Sequence, residues 1–284
     1  MNALERDVLK PKARQKARHL EHLAVAAAPS VGPGLAEAWP RRLRVTNHLV
    51  AWPRLARRVR IVQITDIHAG LSTPVRYMRQ AISAARQAEP DLVVLTGDYL
   101  NRSLTYVERL RRFIKVLPEP RVAVLGNHDH WSDAAGVKQA LERERVQVLV
   151  NAHTVIAGEG YELTIVGVDD WTTRHDDISA AFAGVERPDE ALVLSHHPRS
   201  AEPIAGYGGR LVLSGHTHGG QIYLPLLTRA IGRMGGNRYM AGWYDITEKT
   251  RLYVNAGIGS GAVGIRVGRN AIPEVAVFDL VPER

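Results

Sequence analysis

Val122-Ala-Val-Leu-Gly-Asn-His-Asp129 is a short apolar run that stops on an amide, an imidazole and a carboxylate. A buried strand that delivers polar groups at its C-terminal edge is how open α/β sheets build sites. The pattern occurs twice upstream: Ile61-Val-Gln-Ile-Thr65 leads to Asp66-Ile-His68, and Leu92-Val-Val-Leu-Thr96 leads to Gly97-Asp98. It occurs twice downstream: Leu192-Val-Leu-Ser195 leads to His196-His197, and Leu211-Val-Leu-Ser214 leads to Gly215-His216-Thr-His218. Seven of the 12 histidines lie in or beside these strand ends, which scattered surface placement would not produce.

Working outward, residues 42–51 alternate as a strand before Pro53 turns the chain. Thr73 as N-cap and Pro74 at the first helical position open a helix expected to reach about Glu89. Thr105 with Glu108 forms the capping-box pattern ahead of Leu110, Phe113 and Ile114, and Ser132 is the expected cap of the next helix. This β-α-β-α-β-α order is that of a parallel sheet covered by helices. The second half carries shorter strands, expected at 146–150, 154–157 and 163–168, and a short helix near 178–182. Closing strands are expected at 252–255, 263–267 and 275–280, which makes a second sheet facing the first.

The net charge of +8 is an N-terminal property. Residues 1–60 carry 13 Lys/Arg against 4 Asp/Glu, whereas the rest carries 24 against 25. The chain divides into a basic extension, 1–40, and one domain, 41–284. The extension lacks the apolar core of a signal peptide, and no run of 18 apolar residues marks a membrane span. Two readings remain for residues 1–35: peripheral contact with an anionic membrane, or a solvated arm. Cys is absent, which suits a reducing, cytoplasmic compartment and excludes thiolate metal sites. Gly259-Ser-Gly-Ala-Val-Gly264 spells a dinucleotide motif, but a strand-like run follows it where a helix is required. No nucleophile-elbow or P-loop motif is present.

Asp66, His68, Asp98, Asn127, His196, His216 and His218 offer four imidazoles, two carboxylates and an amide oxygen, more than one metal needs. Oxygen and imidazole donors suit Mn, Fe, Zn, Ni or Co. Two cations sharing a carboxylate sit about 3.5–4 Å apart, the spacing used for in-line displacement at phosphorus, and a water between them becomes a hydroxide nucleophile near neutral pH. His128 is the expected general acid for the leaving alkoxide, with Asp129 orienting its ring.

The ordered set of D-x-H (Asp66, His68), G-D (Asp98), G-N-H-D (126–129), His196 and G-H-x-H (215–218) resembles the calcineurin-like metallophosphoesterase superfamily, over about 59–280. The resemblance implies that one cation takes Asp66, His68 and His218, the other takes Asn127, His196 and His216, and Asp98 bridges them. It implies an α/β fold, a four-layer α/β/β/α sandwich of two mixed sheets flanked by helices. It also implies two divalent metal ions, manganese first with Fe, Zn, Ni or Co as alternatives. Thr65-Asp-Ile-His-Ala-Gly70, Gly97-Asp-Tyr-Leu100 and Gly215-His-Thr-His-Gly-Gly-Gln-Ile222 look like the bacterial branch of small phosphodiesterases and UDP-2,3-diacylglucosamine pyrophosphatases. Arg199 departs from that branch, where an acid is expected after Pro198.

The expected reaction is hydrolysis of a phosphodiester or pyrophosphate bond. The alternatives are a membrane-face UDP-2,3-diacylglucosamine pyrophosphatase of lipid A synthesis acting on a nucleotide-sugar lipid, a nuclease, and a non-catalytic metal-stabilised scaffold. Nucleic acid is the less favoured ligand, and no obligate protein partner is expected. Around the motifs, His197 is read as orienting its neighbour or capping a helix, and His130 with Trp131 as lining the leaving-group side or packing. Asp169 and Asp170 are read as turn-makers, and Arg266 as a surface strand arginine.

Overall fold

The strands that lead to the polar clusters are apolar at both parities, because each must bury two faces. A computed structural model describes residues 42–101, 103–220, 238–261, 266 and 269–283. It contains two six-stranded sheets, with strands numbered in chain order. The first runs β1 (Arg44–Trp52), β12 (Glu274–Pro282), β2 (Val59–Ile64), β3 (Leu92–Thr96), β4 (Arg121–Val124), β5 (Val146–Val148). Here β12 is antiparallel to β2, and every other neighbouring pair is parallel. The second runs β10 (Gly242–Asp245), β11 (Arg251–Val254), β9 (Leu211–Ser214), β8 (Leu192–Ser195), β7 (Tyr161–Val168), β6 (Ala152–Gly158). Its outermost pairs are antiparallel and its centre is parallel.

Successive side chains on a strand point to opposite faces, and that alternation sorts the core into three clusters. Ile61, Val94, Val122, Leu192, Leu194, Leu211 and Leu213 meet between the sheets. Val62, Val93, Leu95 and Ala123 point the other way and pack under α1 (Val75–Gln87), α2 (Val107–Lys115) and α4 (Ala134–Arg143), while α3 (Asn127–Ser132) opens at the end of β4. On the far side, Val193, Val212 and Val254 pack with α5 (Ile178–Phe182) and α6 (Ala201–Ala205). The four-layer α/β/β/α sandwich is thus present.

Several local expectations differ. Pro74 occupies the cap position of α1 without a side-chain bond, and Thr73 Oγ1 instead accepts the Ser260 N–H at 3.3 Å. In place of the Thr105–Glu108 box, Ser103 caps a 3₁₀ turn, Leu104–Tyr106, and Glu108 pairs with Arg111. Asp133, not Ser132, caps α4, while Ser132 Oγ donates to the His128 carbonyl at 2.8 Å. The extension 1–40 and most of the strand expected at 263–267 lie outside the described residues, and Arg266 is not in a strand. Among the described residues, no helix is long and apolar enough to cross a membrane.

Candidate metal centre

Where β2, β3, β4, β8 and β9 end, the backbone turns sharply. Among the described residues, five of the ten non-glycine residues at positive φ are Asp66 (49°), His68 (43°), Asp98 (57°), His216 (71°) and His218 (51°). Such conformations persist only when surroundings over-determine them, and they concentrate at functional sites. Here inter-loop hydrogen bonds do so: Asp66 N–H to Gly97 O (3.0 Å), His68 N–H to Asp98 O (3.0 Å), Gly215 N–H to His196 O (3.0 Å) and Gly259 N–H to Asp66 O (2.7 Å). The approach leaves no room for a Cβ at several of the loop glycines. One at Gly126 would collide with Asp98, and one at Gly215 with Thr65 and Asp66. Beneath the loops, Gln63 ties the sheets together, donating to Thr96 Oγ1 at 3.0 Å and the Ser214 carbonyl at 3.1 Å.

The structure brings the seven expected ligands together around Asp98. One of its oxygens accepts the His128 N–H at 2.9 Å. The other lies 3.5 Å from His68 Nε2 and 3.2 Å from His196 Nε2. On the first side, His218 Nε2 is 3.1 Å from His68 Nε2 and 3.5 Å from Asp66 Oδ1. On the second, His216 Nδ1 is 2.9 Å from Asn127 Oδ1 and 3.3 Å from His196 Nε2.

These groups fit divalent cations chemically. Burial lowers the His68 imidazole to about 3 and holds His216 and His218 well below their ordinary value, so their ring nitrogens are neutral donors. Burial also pushes the Asp66 carboxyl up to about 7, with His196 opposing and Asp98 reinforcing the rise. Burial works against the ionised Asp98 too, but the charge and hydrogen bond of His196 outweigh it and hold that carboxyl low. His196 Nδ1 lies 2.7 Å from the Thr96 carbonyl, so it donates there and turns Nε2 toward Asp98. Oxygen and imidazole donors converge on a buried centre, which is what borderline divalent metals require.

Asp129 does not orient the His128 ring. Its carboxylate accepts the N–H groups of Gly126, Asp98 and Tyr99, each at 2.9 Å, and so clamps two site loops together. His128 is half-buried, its Nδ1 meets the Asn101 carbonyl, and its ring stands edge-on to His68 at 4.8 Å. His197 caps the turn Pro198–Ser200, as expected. His130 packs: its Nε2 is 2.8 Å from Asp169 Oδ1 and its ring stacks on His175 at 4.2 Å. Trp131 is 49% exposed beside His128. Asp170 makes the expected turn, accepting from Thr173 N–H (2.7 Å) and Oγ1 (2.9 Å).

Arg266 is the clearest departure from expectation. It is 1% exposed, and it donates to His218 Nδ1 and the Ala256 carbonyl, each at 2.7 Å. Burial pushes its guanidinium down to about 10. Its glycine-rich stretch has no periodicity that would have marked it as interior. Asn101 and Thr96 were likewise invisible as contributors, since both act through backbone carbonyls.

A family model described as calcineurin-like phosphoesterase matches residues 59–220. Phosphodiesterase YaeI of Escherichia coli is 31% identical over 274 residues, covering 93% of this chain and 98% of the relative. The uncharacterised metallophosphoesterase YkuE of Bacillus subtilis is 30% identical over 251 residues, covering 85% and 86%. UDP-2,3-diacylglucosamine pyrophosphatase LpxG of Chlamydia trachomatis is 27% identical over 278 residues, covering 78% and 84%. The chain therefore belongs to the calcineurin-like phosphoesterases, and it is a metal-dependent phosphoester hydrolase.

Proposed function

We propose that this chain, through a domain spanning residues 41–284, hydrolyses a phosphodiester or pyrophosphate bond at a dinuclear centre. Asp66, His68 and His218 hold one cation, Asn127, His196 and His216 hold the other, and Asp98 is shared. The observation that carries this reading is the position of one Asp98 oxygen, 3.5 Å from a nitrogen of the first set and 3.2 Å from a nitrogen of the second. When bound, the divalent pair supplies Lewis-acid polarisation of the phosphoryl group and a nucleophile at neutral pH. Manganese is our first choice, and the same donors serve Fe, Zn, Ni or Co.

His128 takes the acid role. With Nδ1–H donating to the Asn101 carbonyl, Nε2 is the atom that carries the proton to the leaving oxygen. Asp129 acts at one remove: by holding the Gly126, Asp98 and Tyr99 amides it sets where His128 and Asp98 stand.

The likeness to YaeI supports a diester substrate. The likeness to LpxG supports a second reading, a pyrophosphate in a nucleotide-sugar lipid reached at a membrane face through residues 1–35. The test is the initial rate of metal-stripped full-length protein on a chromogenic diester, its monoester and UDP-2,3-diacylglucosamine, with and without Mn²⁺. Mn²⁺-dependent diester cleavage with little monoester cleavage is the expected result. Cleavage of the nucleotide lipid alone favours the second reading, as does loss of anionic-vesicle binding on deleting residues 1–35 with small-ester turnover intact. Monoester preference, or no turnover of any of the three, rejects the proposal.

A further inference from the structure

We propose that His197 is a positioning residue for His216, setting the ring angle of that ligand by packing against it. The inference rests on the dinuclear reading above. Ligating histidines are normally oriented through their outer ring nitrogen, as His196 is by the Thr96 carbonyl at 2.7 Å. His216 turns Nδ1 toward Asn127 and His196, and among the described residues no group pairs with its Nε2. The imidazole χ2 torsion is broad, so a ring without such an anchor swings and carries its donor atom off the cation.

What holds the His216 ring is its neighbours' rings. His197 lies 4.3 Å away, centroid to centroid, at 44°, and His196 lies edge-on at 5.1 Å. His197 is in turn fixed in two ways. Its Nδ1 accepts the Arg199 N–H at 3.1 Å, and its ring lies 4.8 Å from Trp171. The Trp171 indole carries the Arg199 guanidinium at 5.1 Å. A column thus runs from exposed Arg199 through Trp171 and His197 to His216. His197 is 4% exposed and its Nδ1 is committed to backbone, so its ring acts as a wall rather than a further ligand.

The test is calorimetric titration of the full-length, metal-stripped protein with Mn²⁺, with metal content counted after desalting. Wild type binding two Mn²⁺ and His216→Ala binding one establish the frame. His197→Asn keeps an acceptor for the Arg199 N–H but has no ring, and its weaker site is expected to lose about 10- to 100-fold in affinity. Its other Mn²⁺ stays bound within about twofold, which also shows that the variant is folded. His197→Phe restores the ring without the acceptor, and its weaker site is expected within about threefold of wild type. Wild-type affinity at both sites in His197→Asn overturns the proposal, as does His197→Phe binding as weakly as His197→Asn. One Mn²⁺ in the wild type, or two in His216→Ala, sinks the dinuclear reading itself and this inference with it.

Discussion

Asp66 and Glu274 are both buried carboxylates, 0% and 1% exposed, and they are provided for very differently. Glu274 Oε1 accepts the Thr46 hydroxyl at 2.7 Å and the Tyr253 hydroxyl at 2.5 Å. Its Oε2 accepts the Arg44 guanidinium at 3.0 Å and the Ala256 N–H at 3.1 Å. Each oxygen has two donors, and a cation stands beside the group. Asp66 accepts one hydroxyl, from Thr65 at 2.9 Å, and the His216 N–H at 3.1 Å. Among the described residues no Lys or Arg pairs with it directly, and burial raises it to about 7. Glu274 is complete within the protein and holds β1, β11 and β12 together. Asp66 is short of positive charge, so a bound cation gains most there. Being buried does not separate the two; being left incomplete does.

The largest effect that can break this contrast is at Asp98, the proposed shared ligand. Asp98→Asn is expected to lower kcat/KM on a chromogenic diester by about a thousandfold, since on the proposed dinuclear reading it weakens the field at both cations. Wild-type turnover by that variant would remove Asp98 from the centre. Next come the two acids themselves. Glu274→Ala strands the Tyr253 hydroxyl and the Ala256 N–H and is expected to cost roughly 3 kcal/mol in urea unfolding, with Mn²⁺ content of the folded protein unchanged. Asp66→Asn is expected to do the reverse, leaving metal-free stability equal or higher and losing Mn²⁺ from its side. Equal destabilisation by both would erase the distinction.

His128→Gln sharpens the account of the centre without touching either acid. It is expected to slow cleavage of an alkyl diester about a hundredfold at unchanged metal content, and to slow a nitrophenyl ester much less. Equal slowing of both esters would deny it the acid role. The smallest effect belongs to the Glu274 side. His48 packs on Tyr253 at 4.5 Å and Phe278 at 5.0 Å, and burial lowers it below 6.5, against the pull of Glu274. Its share of stability is therefore full above pH 6.5 and is lost as the pH falls through the lowered folded value, because the unfolded chain takes the proton first. His48→Gln should flatten that part of the acid-side fall in Tm, and an unchanged slope would discount the histidine.

Much of this was legible in the chain because it follows from periodicity. Leu92-Val-Val-Leu reads as a strand buried on both faces, and its two parities do go to two different cores. Asp66, His68, Asp98, Asn127, His196, His216 and His218 were legible as a group because each stands at the end of such a strand. What failed was whatever depended on a distant partner. Thr73 has the chemistry of a cap, but Ser260 claims its hydroxyl. Asp129 adjoins His128 in sequence, yet consecutive helical residues diverge by about 100°, so the carboxylate reaches the Asp98 loop instead. Arg266 carries no local signal of burial, since its partners are His218, Ala256 and Ala271.

The strand order of the first sheet has a consequence for how the molecule is made. β12 is the last described strand to leave the ribosome, yet it inserts between β1 and β2. Until it arrives, β1 has no partner, and Val59–Ile64 presents an open apolar edge of the kind that seeds aggregation. The ties from Ile258 and Gly259 to the Thr65 and Asp66 carbonyls come from the segment just before that strand, so they too are late. The nascent chain thus carries its metal-binding motifs long before it can set their geometry. Metal loading becomes an event that follows the synthesis of β12, and a ribosome stalled short of it yields a chain with the motifs and no centre.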